Sequence, residues 1–206
     1  MDTIQSLIQR VKKTKHGFTD IQKAADEVFT SRDKPETLRL AKDLFVSEIP
    51  QARVLATFLF GKLAAKSKES FAFMRKRIGQ DKDWRVQEIL AQAFDQYCKD
   101  TGYEKSLPTI KNWLADKNPN VRRAVTEGLR IWTTRDYFRE HPDVAVQLLS
   151  QLRADESEYL RKSVGNALRD ISRKHKDLIQ KELQSWDTSD RHVAYTHQLA
   201  GKFLEG

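Results

Sequence analysis

The chain has 206 residues, the size of one ordinary domain, and its 37 Lys+Arg against 29 Asp+Glu give a formal charge of +8. Hydrophobic residues at 39% and aromatics at 9% supply a core and exclude wholesale disorder, while 8 Gly and 5 Pro are too few for the turns of a β-sandwich or barrel. The single cysteine, Cys98, excludes an intrachain disulfide framework and a cysteine-based zinc cluster.

The opening Met1-Asp-Thr-Ile-Gln does not read as a signal peptide, and the apolar runs are too short to span a membrane, so a cytoplasmic location is expected. Ile4, Leu7, Ile8 and Val11 follow the i, i+3, i+4, i+7 spacing of one helix face. Leu38, Ala41, Leu44 and Phe45 repeat it, as do Val86, Leu90, Ala93, Phe94 and Tyr97. No sustained period-2 segment occurs. Breaks fall at Asp33-Lys-Pro35, Ile49-Pro50, Thr101-Gly102, Asn118-Pro-Asn120 and His141-Pro142. A proline in the first turn of a helix removes only an N–H that has no partner there. The breaks predict about twelve helices, joined without a long linker.

A repeat organises these helices. The segments opening at Asp81, Asp116 and Asp155 align without a gap, at offsets of 35 and 39 residues. Val86, Val121 and Leu160 coincide, then Leu90, Val125 and Val164, then the small Ala93, Gly128 and Ala167, then Phe94, Leu129 and Leu168. A further copy begins at Ser47, and a weaker one runs through Val193, Ala194 and Leu199. Each copy is followed by a second helix. Two helices per unit at this period predict an all-α fold, an α-solenoid of HEAT-like repeats occupying residues 1–206 as a single domain.

In a solenoid, equivalent positions stack as rungs on one curved surface, about 10 Å apart. One rung carries Arg53, Gln87, Arg122 and Arg161, and the next carries Glu88, Arg123 and Lys162. From Lys117 to Lys176 there are 13 basic and 8 acidic residues, so much of the net charge lies in the last two strong repeats. Such a stripe suits two roles: it follows a phosphate backbone, or each Arg ties its repeat to the opening Asp of a neighbouring copy. Trp84 and Glu88 are four apart and share a helix face. An aromatic and a carboxylate together suit a cation; equally, Trp84 packs between repeats and Glu88 pairs with Arg123. Phosphate loops, nucleophile elbows and clustered histidines are absent, and neither a metal nor a cofactor is expected.

The runs Asn118-Pro-Asn-Val-Arg-Arg-Ala-Val-Thr-Glu-Gly-Leu-Arg and Tyr159-Leu-Arg-Lys-Ser-Val-Gly-Asn-Ala-Leu-Arg-Asp-Ile-Ser-Arg resemble the HEAT-like-repeat DNA alkylation repair family, which contains the AlkC- and AlkD-type DNA glycosylases. The likeness spans roughly residues 81–187. It implies hydrolysis of the N-glycosidic bond of cationic N3- or N7-alkylpurines in double-stranded DNA, through an oxocarbenium-like transition state. Trp84 and Glu88 fall on the family's catalytic Trp and Asp, with Glu in place of Asp. Arg123 falls on its DNA-backbone arginine, and Asn166 on a position that is aromatic in AlkD-type members. AlkC-type members tend to have Asn there, followed by an Asp that matches Asp170. The resemblance thus implies Glu88, Trp84 and Asp170 as catalytic, Asn166 and Trp132 as substrate-binding, and Arg122, Arg123, Arg161 and Lys162 as DNA-binding on a basic concave face. A monomer is expected. The lost aromatic at Asn166 and an N-terminal part shorter than that of catalytic members keep open a catalytically impaired member, acting as a nucleic-acid-binding or protein-interaction solenoid.

Overall fold

The structure is a computed structural model that describes residues 3–204. These residues form thirteen α-helices and no strand, in an all-α helical-repeat architecture. They pack as two compact units, divided between Thr101 and Gly102.

The first unit holds α1 (Ile4–Lys12), α2 (Thr19–Ser31), α3 (Lys34–Phe45), α4 (Pro50–Ala64), α5 (Lys68–Lys76), a 3₁₀ turn at Ile78–Gln80, and α6 (Trp84–Thr101). Helix α4 is its centre and packs on α2, α3, α5 and α6. Apolar or small residues all round this helix, from Ala52 through Leu55, Phe58 and Phe60 to Ala64, are buried, as expected of a helix with neighbours on every side. Its contact with α6 is very close. A Cβ on Gly61 would stand 2.7 Å from Ala93 Cβ and 2.9 Å from Ala93 Cα. Because the obstacle includes backbone, it cannot swing away. Gly61→Ala is therefore expected to cost about 1–3 kcal/mol, read from denaturant unfolding.

The second unit holds α7 (Leu107–Leu114), α8 (Pro119–Gly128), a 3₁₀ turn at Trp132–Thr134, α9 (Asp136–Glu140), α10 (Pro142–Ser150), α11 (Glu158–Ser172), α12 (Lys176–Gln184) and α13 (Arg191–Gly201). Helix α11 takes the central place and packs on α8, α10, α12 and α13. All five prolines lie in the first turn of a helix, as the breaks predict for Pro35, Pro50, Pro119 and Pro142. Side-chain caps start others: Asp33 accepts from Glu36 N–H, Ser67 from Ser70 N–H and Ser157 from Leu160 N–H. Ile131, with φ of +53°, departs from the periodic pattern. This left-handed β-branched residue ends the α8 segment and turns the chain into the 3₁₀ turn and the short α9, which no apolar spacing announced.

Candidate functional site

The first rung resolves into structural ties. Arg122 Nη1 donates to the carbonyls of Asp116 and Lys117 at 2.7 and 3.1 Å, and its Nη2 to Asp155 Oδ1 at 2.7 Å. Arg53 does the same one pair earlier, donating to the carbonyls of Ser47 and Glu48 and to Asp81 Oδ2 at 2.6 Å. Arg161 donates to the carbonyls of Asp155 and Glu156, and Gln87 to those of Asp81 and Ile78. Each long side chain thus folds back onto the segment that opens its own repeat, and Arg53 and Arg122 also grip the Asp of the next. That Asp in turn accepts the N–H two residues on: Asp83 for Asp81, Asn118 for Asp116 and Ser157 for Asp155. These Nη donors are directed at the chain, and Arg161 is 7% exposed.

On the second rung, Glu88 is half-buried, Arg123 is buried and Lys162 is exposed. The Arg123 guanidinium lies 4.4 Å from the centroid of the Tyr159 ring, which covers it as a cation–π lid. Lys162 is the member of the basic set open to a phosphate.

In the first unit, Trp84 opens α6 and is 67% exposed, against the alternative that it packs between repeats. The Phe18 ring meets it edge-on at 6.2 Å. Glu88 follows one turn later on the same face. Asp83 stands just before the helix and accepts from Arg85 N–H at 2.9 Å and from the Arg85 guanidinium at 2.9 and 2.7 Å. That guanidinium holds the Asp83 carboxyl below the usual carboxylate range, against the opposing effect of partial burial. A depressed folded pKa means that the unfolded chain takes up the proton first. The pair's contribution is complete above the ordinary Asp range of about 3.9 and is lost as pH falls through the folded value. Asp83→Asn is expected to flatten the acid limb of stability, measured by thermal unfolding from about pH 6 to about pH 2.5.

In the second unit, Lys162, Asn166 and Asp170 succeed one another at i, i+4, i+8 along α11 and share a face. Asp170 Oδ2 accepts from Arg130 Nε at 3.0 Å, and its Oδ1 from Arg169 Nη2 at 3.3 Å. The Phe203 ring in turn lies against Arg169 and Arg173. Asp170 thus meets two guanidiniums and ties α11 to the end of α8. Trp132 is 0% exposed and packs edge-on against Phe138 at 4.9 Å. Its ring is sealed from solvent, as a core residue's is. Asn166 is half-buried. Sequence spacing misses Phe18, Tyr159 and Arg130 as companions of these positions. Of the three, Arg130 carried a partial signal: it occupies the same register as Arg169, which places it one rung from the Arg169–Asp170 pair. Among the described residues, no three His, Cys, Asp or Glu side chains converge to hold a metal ion. No helix among them is long and apolar enough to cross a membrane.

The profile of the DNA alkylation repair enzyme family matches residues 17–201. The chain belongs to the DNA alkylation repair enzyme family. Within the family's fold, the structure is similar to AlkD2 from Streptococcus mutans, with a TM-score of 0.96, 44% identity and 98% of each chain covered. It also shares its fold with the alkylpurine DNA glycosylase AlkC of Pseudomonas fluorescens, seen bound to DNA containing an abasic site analog. That likeness has a TM-score of 0.53 and 21% identity, over 98% of this chain and 61% of AlkC. The uncharacterized protein YhaZ of Bacillus subtilis is 36% identical over 105 residues, 49% of this chain. The chain spans 29% of the length of YhaZ.

Proposed function

We propose that this family member excises cationic N3- or N7-alkylpurines from double-stranded DNA by hydrolysing the N-glycosidic bond. The observation that carries the proposal is the pair on α6: the open indole of Trp84, followed one turn later by the carboxylate of Glu88. An alkylated purine already bears a positive charge. When the glycosidic bond breaks, its electron pair leaves with the base, which becomes neutral, and the sugar takes on oxocarbenium character. Glu88 stabilises that charge and orients the attacking water, while the face of Trp84 contacts the cationic base. Lys162 contacts a phosphate. Neither a metal nor a cofactor enters the step, and the chain acts as a monomer in the cytoplasm. The test is release of free 7-methylguanine from methylated duplex DNA by the full chain. Release above spontaneous depurination supports the proposal, and release at the spontaneous rate rejects it.

The alternative is a catalytically impaired member that binds nucleic acid or protein. Duplex binding that weakens between about 50 and 200 mM salt, without base release, selects a nucleic-acid binder.

A further inference from the structure

The segment between α1 and α2 carries chemistry that the glycosylase proposal does not use. Lys12, Lys13, Lys15 and His16 fall within five positions, and all four are exposed. Elsewhere in the first unit, Arg10 pairs with Glu27, Lys42 with Glu69, Lys62 with Asp26 and Arg85 with Asp83. Lys12, Lys13 and Lys15 form no ion pair among the described residues, and of the groups lining the cleft at Lys13 only Asp20 is acidic, beside Arg10 and Lys23.

This basic segment is held in place. The Thr14 N–H donates to the Val11 carbonyl at 3.0 Å, and Gln51 Nε2 reaches across from α4 to the Thr14 carbonyl at 3.3 Å. Gly17 turns the chain in the left-handed region, with φ of +68°. Phe18 then seats edge-on against Trp84, and its carbonyl receives the N–H of Gln22 at 2.8 Å. The result is a cleft of about 150 Å³ lined by Lys15, His16, Phe18, Trp84 and Arg85 among others. That volume is well below the ~300–1,000 Å³ of a site for a drug-sized ligand and suits one ring system. Lys13 lines a second cleft of about 250 Å³ that shares Thr14 with the first.

We infer that this cleft binds a nucleotide unit, with a nucleobase stacked on Trp84 beside Phe18 and its phosphate on Lys15 and the neighbouring Lys13. An aromatic platform beside an electrostatic track is the combination that holds single-stranded nucleic acid without reading its sequence. The inference rests on the same Trp84 face as the glycosylase proposal but needs no alkylated base and no bond cleavage, so binding of an unmodified oligonucleotide without base release tells the failure of one from the failure of the other.

Tryptophan emission reads it directly. Trp113, Trp132 and Trp186 are 1%, 0% and 7% exposed, so a quencher that stacks on the surface reports Trp84. The full chain is titrated with an unmodified (dT)8 oligonucleotide, with thymidine monophosphate, and with polyphosphate, which has no base. Saturable quenching by (dT)8 is expected, weakening as salt rises. Its log–log salt slope should fall by about 0.7 for each phosphate contact removed in a Lys13→Ala/Lys15→Ala variant. Trp84→Leu is expected to weaken (dT)8 binding, followed by anisotropy of a labelled oligonucleotide, roughly 5- to 150-fold. Equal saturable quenching by thymidine monophosphate makes the ligand a free nucleotide, and quenching by (dT)8 alone makes it a strand; both support the inference. Polyphosphate binding as tightly as (dT)8, with no quenching by either nucleotide, overturns it. So does quenching that the lysine variant leaves unchanged. All three substituted residues are exposed, and an unchanged unfolding midpoint confirms that the variants fold.

Discussion

Asp155→Ala is expected to lower folding stability by about 3–5 kcal/mol, far more than an acidic surface residue normally contributes. The side chains of Asp155 and Arg122 are 10% and 14% exposed. Asp155 Oδ1 receives both Arg122 Nη2 and the Ser157 N–H that leads into α11. Without the carboxylate, a guanidinium stays largely buried with only backbone carbonyls around it, and the entry to α11 loses an acceptor. Leaving one member of a buried pair uncompensated costs more than the intact pair contributes. A double-mutant cycle with Arg122→Ala separates these terms, and a coupling energy of about 1 kcal/mol or more is expected. A loss below about 1 kcal/mol for Asp155→Ala would show the tie to be no stronger than an exposed ion pair.

Glu88→Gln is expected to slow base release about 10²- to 10³-fold while changing folding stability by less than about 1 kcal/mol. The substitution keeps the shape of the side chain and its ability to accept hydrogen bonds, and Glu88 is only half-buried. What it removes is the negative charge. A neutral amide stabilises an oxocarbenium ion poorly, so the loss falls on the rate of bond cleavage rather than on DNA binding. Single-turnover release, measured with the chain in excess over methylated duplex, separates the two. A rate unchanged by Glu88→Gln would move the chemistry to another group.

Much of the fold was legible because the repeat is ungapped. Asp81, Asp116 and Asp155 open three copies at one register, and the Arg at one rung was weighed as a tie to the Asp of a neighbouring copy. The structure selects that alternative for Arg53 and Arg122 over the phosphate track. Spacing could not select it, since a side chain that returns to a carbonyl and one that reaches solvent occupy the same helical position. The prolines marked helix starts because a missing N–H is tolerated only there. The end of α8 was not legible: the left-handed position falls on Ile131, with no Gly or Asn there to announce it. Trp132, which the resemblance implies for substrate, is carried by the 3₁₀ turn into the core beside Phe138, a placement that no apolar spacing announces. Of the site, the Trp84–Glu88 face followed from i, i+4 geometry. Phe18 and the Lys12–His16 segment, which come to Trp84 from 66 or more positions earlier in the chain, carried no periodic signal.

The most direct measurement is chromatographic: quantify the free 3-methyladenine and 7-methylguanine that the full chain releases from methylated duplex DNA, beside Glu88→Gln and DNA alone. A time-dependent release above the DNA-only rate, lost in Glu88→Gln, is the expected result. Wild-type release that follows the DNA-only curve, from protein shown to be folded and bound to the duplex, would contradict excision by this chain.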